Sequence, residues 1–122
     1  MKKLFFIFFL LSISHINSHE FNPAHLVINE IDKEKNVYDA TWMYPYKNIG
    51  RRGEVVFPNN CIAVSKDLFY QGKYLTEKIS LTCSKSLKGL SLEIVNLSVL
   101  TDALITVNFS DDTYKGLVNV QK

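Results

Sequence analysis

The chain has 122 residues, with 14 Lys and Arg against 12 Asp and Glu and a formal charge of +2. That length allows one domain around one core. The near balance of charge excludes a basic nucleic-acid-binding surface and an acidic disordered tail.

Lys2 and Lys3 lead into an unbroken apolar run over residues 4–11, followed by small polar residues. A charged start, a short apolar middle and small residues near a cut are the pattern of a secretory signal peptide. The run is far shorter than the roughly 20 apolar residues that span a bilayer core. Residues 1–18 are therefore expected to be a signal peptide, and residues 19–122 an exported domain. Cleavage after Ser18 starts the mature chain at His19. Cleavage after Ser14, with Ser12 at the −3 position, fits the small-residue rule better and starts it at His15. Lys2 and Lys3 account for the whole positive excess, so the mature chain is neutral. The expected location is extracytoplasmic, in the periplasm, where disulfides form.

Beyond the leader the apolar pattern is strand-like almost throughout. Residues 25–31 are rich in β-branched and apolar types. Over residues 37–44, Tyr38, Ala40, Trp42 and Tyr44 alternate with Asp39 and Thr41. Residues 54–57 make a short strand that stops at Pro58. Residues 65–70 could form one helical turn. Over 75–83, Ile79, Leu81 and Cys83 share a face opposite Lys78, Ser80 and Thr82. Leu92 and Ile94 oppose Ser91 and Glu93 in 90–95. Ile105, Val107 and Phe109 oppose Thr106 and Asn108 in 103–109. Residues 114–120 close the series. Turn chemistry falls between these segments, at 33–36, 48–53, 58–60, 71–72 and 111–113.

Short strands at roughly 8–12-residue spacing point to an all-β fold: an immunoglobulin-like two-sheet antiparallel sandwich of about seven to eight strands. Trp42, Leu81, Leu92, Ile94, Ile105 and Val107 are its expected core. Cys61 and Cys83 are the only cysteines and are expected to form a structural disulfide, which closes a loop worth about 3 kcal/mol. Four ligands at short spacings, as a structural zinc site needs, are absent. Trp42 precedes both cysteines, so the likeness to immunoglobulin domains is one of architecture.

No nucleophile elbow, HExxH or Gly-rich phosphate loop occurs. All three histidines, His15, His19 and His25, crowd at the N-terminal end. Asp111 and Asp112 are adjacent on a turn and point apart. The expectation is a domain without catalysis.

Several segments resemble the HupE/UreJ-like membrane protein family. His19-Glu20-Phe21-Asn22-Pro23-Ala24 is similar to the family's mature start. Tyr38-Asp39-Ala40-Thr41-Trp42 with Pro45 resembles its second strand, and Phe57-Pro58 followed by Cys61 its Pro-x-x-Cys segment. Leu81-Thr82-Cys83, Lys88-Gly89-Leu90 and Leu100-Thr101-Asp102-Ala103-Leu104-Ile105 continue the likeness in order. It covers residues 19–122. The resemblance implies a periplasm-facing β domain that precedes a transmembrane bundle, in a wider family linked to nickel or cobalt uptake. Lys122 falls where the membrane part is expected to begin, so the chain is expected to be either a fragment of a longer membrane protein or a free-standing relative.

Two functions follow as expectations. The first is an interaction or accessory module, docking on an inner-membrane protein or a missing transmembrane portion through an edge strand or exposed face. The second is metal capture. A mature N-terminal His19 offers an amine and an imidazole nitrogen, and Glu20 and His25 lie close enough in sequence to join it. Such nitrogen ligands suit Ni(II), Co(II) and Cu(II).

Overall fold

The computed structural model describes residues 23–45, 53–97 and 102–118. The expected signal segment with its two expected cleavage positions, His19 and Glu20, most of the expected 48–53 turn and the last residues of the expected 114–120 strand lie outside them. The described residues are all-β. The strands are β1 (Ala24–Asp32), β2 (Val37–Pro45), β3 (Glu54–Val56), β4 (Cys61–Gln71), β5 (Tyr74–Cys83), β6 (Glu93–Val95), β7 (Ala103–Asn108) and β8 (Thr113–Val118). Six of them form one sheet in the order β4-β5-β2-β1-β7-β8, and β3 pairs with β6 in a second, two-stranded sheet.

Four features differ from expectation. The large sheet is mixed rather than antiparallel, because β1 runs parallel to β7, from Ala24 opposite Ala103 to Asn29 opposite Asn108. This register keeps Leu26 beside Ile105 and Ile28 beside Val107 on one face. Alternation alone permits either strand direction, and the long connection through β2–β6 permits the parallel one. The two sheets are also unequal. Finally, residues 65–70 are not a helical turn but the second half of β4. The strand expected over 90–95 shortens to Glu93–Val95.

The core lies on one face of the large sheet. Period-two alternation puts Leu26 and Ile28 of β1, Tyr38, Ala40, Trp42 and Tyr44 of β2, and Ile79 and Leu81 of β5 on that face, all buried. Leu92 and Ile94 are half-buried and pack against this cluster with Val55, Phe57 and Leu97, so the β3–β6 layer covers the inner face. Polar pins fix the cover. The Trp42 indole N–H donates to the Gly53 carbonyl at 3.3 Å, and the Leu87 N–H donates to the Tyr38 hydroxyl at 3.1 Å. Gly53 has φ +82°, which favours glycine, and a Cβ there would stand 3.3 Å from a Leu97 methyl, a tight contact.

Two hairpin ends are explained by their turn residues. Asp32 Oδ1 accepts from the Glu34 and Lys35 N–H groups at 3.1 Å, an Asx-type turn between β1 and β2. Between β4 and β5, Gly72 has φ +59°, as the first central position of a two-residue primed turn requires.

Candidate functional site

The six-stranded sheet ends at β4, whose far side carries no further strand among the described residues. Edges of this kind present a row of backbone donors and acceptors to any chain that can pair with them. Both ends of β4 are fixed. Cys61 lies directly opposite Cys83 on β5, with their Cα atoms 4.0 Å apart and the disulfide closed. At the other end the Gly72 hairpin returns the chain into β5. Between these anchors the strand is exposed, and it is apolar: Ile62 is 71% exposed, Val64 53%, Leu68 53% and Tyr70 71%.

A bulge interrupts β4 between Ser65 and Asp67. Lys66 is the extra residue, and it shifts the alternation by one. Ile62 and Val64, paired with Thr82 and Ser80, occupy the face of the sheet away from the core. After the bulge Asp67 and Phe69, paired with Lys78 and Thr76, occupy that face instead. Leu68 and Tyr70 fall on the core side, beyond the cover of the small sheet. Asp67 Oδ1 accepts from the Leu68 N–H at 2.9 Å, so a side chain caps one of the edge donors.

His25, the one described residue of the expected metal set, lies on the outer face of β1. Its cross-strand neighbours are Met43 on β2 and Leu104 on β7, and its ring meets the Tyr74 ring edge-on at 5.7 Å. Half-burial among these groups lowers its pKa below the ordinary 6.5. In the same cross-strand row Thr76 is 1% exposed, and its buried hydroxyl finds no hydrogen-bond partner. His19 and Glu20 lie outside the described residues. Among the described residues no three His, Cys, Asp or Glu side chains come together as a ligand set.

Among the described residues, clefts on the core side include two that are well formed. One, of about 320 Å³, runs between β3 and the β4–β5 hairpin beside Trp42, with Glu54 and Glu77 in its lining. Glu77 faces inward because its register partner is Trp42. The other, of about 650 Å³, lies between β7–β8 and residues 87–92, and is walled by Leu90, Leu92, Val107 and Tyr114. The charges at its rim satisfy one another: Lys88 Nζ meets Asp111 Oδ1 at 2.7 Å and sits 5.2 Å from the Phe109 ring centroid. That hydrogen bond raises the Lys88 pKa and lowers that of Asp111.

Sequence reasoning placed His25 in a strand and Cys61 and Cys83 in or beside strands, and all three lie in strands. It missed β4 as an edge. The usable signal was Ile62, Val64, Leu68, Phe69 and Tyr70 between a cysteine and a Gln-Gly turn. Among the described residues there is no helix long and apolar enough to cross a membrane. No protein-family model matches the chain, and no curated protein or solved structure matches it either.

Proposed function

We propose that this chain is an exported, non-catalytic interaction module of the extracytoplasmic space, comparable to the N-terminal region of HupE/UreJ-like membrane proteins, and that β4 is its pairing edge. The observation that carries the reading is the long β4 edge, stapled at Cys61–Cys83 and exposing Ile62, Val64, Leu68 and Tyr70. Edge strands this long and apolar are ordinarily blunted or covered, and strand addition is a recurring recognition mode. Lys66, Asp67 and the bulge keep the edge from pairing indiscriminately. In this reading the two layers form a sandwich that is immunoglobulin-like in architecture, and the setting is the periplasmic face of an inner-membrane protein or of a transmembrane portion of the same protein. A photo-cross-linking residue in place of Ile62 tests it in exporting cells. Protein adducts are expected from position 62 and not from Asn29 on the outer face of β1. Equal adducts from both positions would contradict it.

His25 favours a second reading, capture of Ni(II), Co(II) or Cu(II) by a mature His19 with Glu20 and His25. The half-buried imidazole of His25 loses its proton more readily than an exposed one, and a ligand must be deprotonated to bind. Titration of the processed protein, with its N-terminal residue fixed by mass spectrometry, tests this. Stoichiometric binding that disappears when one residue precedes the terminal histidine supports it; no binding at micromolar metal removes it.

A further inference from the structure

We propose that the occupant of the β4 edge is a second copy of this chain, paired antiparallel through β4 about a two-fold axis between Lys66 and Asp67. The inference rests on β4 being the binding edge, and it names the partner and the register.

The strand is self-complementary in charge, in facing and in backbone direction, the last two being coupled by the pleat. The first is charge. An axis between Lys66 and Asp67 sets Lys66 opposite the second copy's Asp67, and Asp67 opposite the second copy's Lys66, giving two opposite-charge cross-strand pairs. Shifting the register by one residue would set Lys66 against Lys66 or Asp67 against Asp67.

The second is facing. A two-fold axis perpendicular to a continuous sheet leaves each side chain on its own face. Before the bulge the outward residues are Ile62 and Val64; after it they are Asp67 and Phe69. The axis therefore sets Val64 opposite Phe69, outer against outer, and Ser65 opposite Leu68, inner against inner. An unbulged strand could not do this in the same register, because every pair would join opposite faces. The side chains also match in size: Ser65 and Ala63 are small where Leu68 and Tyr70 are large.

The third is the direction of the backbone. The Ser84 N–H donates to the Asn60 carbonyl at 2.9 Å. That bond flanks Cys61–Cys83 as a non-hydrogen-bonded pair, in keeping with its short Cα separation. Alternation then turns the backbone groups of Ala63 and Ser65 away from β5 and toward the free edge. Beyond the bulge the Leu68 N–H also turns away from β5, and Asp67 caps it. The proposed register sets Ser65 opposite Leu68, so outward-turned groups meet. On pairing, the Asp67 carboxylate exchanges the Leu68 N–H for the second copy's Lys66.

The test is sedimentation equilibrium of the full chain, purified after export with its disulfide intact. A reversible monomer–dimer equilibrium is expected. Lys66→Asp and Asp67→Lys should each weaken it at least about tenfold, since each turns two attractive contacts into two repulsive ones, and the double swap should restore it. Ala63→Pro removes an edge donor without touching the β5 ladder, where proline is tolerated. It should abolish the dimer while Trp42 fluorescence stays native. A monomer at every concentration, or a dimer indifferent to all these substitutions, overturns the proposal. A monomer that still cross-links another envelope protein from position 62 overturns the second copy alone. A monomer without such adducts removes the edge reading too.

Discussion

Cys61 and Cys83 face each other across β4 and β5 with their Cα atoms 4.0 Å apart. The disulfide fastens the outermost strand of the sheet to its neighbour at the end away from the hairpin. Its loss should act on the edge as well as on global stability. Cys61→Ser is expected to lower stability by about 3 kcal/mol, a drop of roughly 10–20 °C in Tm for a domain of this size. Amide exchange at Ile62 and Val64 should accelerate more than exchange in β1. A melt unchanged by Cys61→Ser would contradict this role.

Trp42 joins the layers, with its indole 1% exposed and its N–H on the Gly53 carbonyl. Trp42→Ala should cost about 3–5 kcal/mol. Trp42→Phe keeps much of the apolar burial but leaves the Gly53 carbonyl without this donor, and should cost about 1–3 kcal/mol. Trp42 is the only tryptophan, so its emission should be blue-shifted in the native protein and should move red in a single transition with denaturant.

Thr76 offers a gain rather than a loss. Its hydroxyl is buried and unpartnered, which costs free energy that a methyl group of similar shape would not. Thr76→Val is expected to raise stability by about 1 kcal/mol, read from the urea midpoint at constant slope. A loss of that size would show that the hydroxyl has a bonded partner in solution.

The acid side of the stability curve should carry a His25 signature. Burial holds its folded pKa below the ordinary 6.5, so the unfolded chain binds the proton more tightly. The neutral form's contribution is complete above pH 6.5 and is lost as pH falls from there through the folded pKa. Tm should therefore decline over that interval, and His25→Phe should flatten this part of the decline. An NMR titration placing His25 at or above 6.5 would contradict the burial argument.

Much of the sheet was legible because burial on one face imposes period two. Tyr38, Ala40, Trp42 and Tyr44 announce β2, and Ile79, Leu81 and Cys83 announce β5. The direction of β7 was not legible, since Ile105 and Val107 would face the core in either orientation. β4 was hidden for a physical reason. It buries neither face fully, the polar run Ser65-Lys66-Asp67 interrupts its apolar residues, and Leu68, Phe69 and Tyr70 then follow without a break, so residues 65–70 lack the alternation that marks a strand. The disulfide could be read from two cysteines alone. The edge it secures, and the charge pair at the centre of that edge, needed the register.

Amide hydrogen exchange along β4, followed against protein concentration, tests the central claim most directly. Ile62 and Val64 donate toward β5 and should be protected at all concentrations. Ala63 and Ser65 turn to the free edge and should gain protection only as the chains pair. Exchange at Ala63 and Ser65 that is as fast in concentrated as in dilute protein would contradict the account.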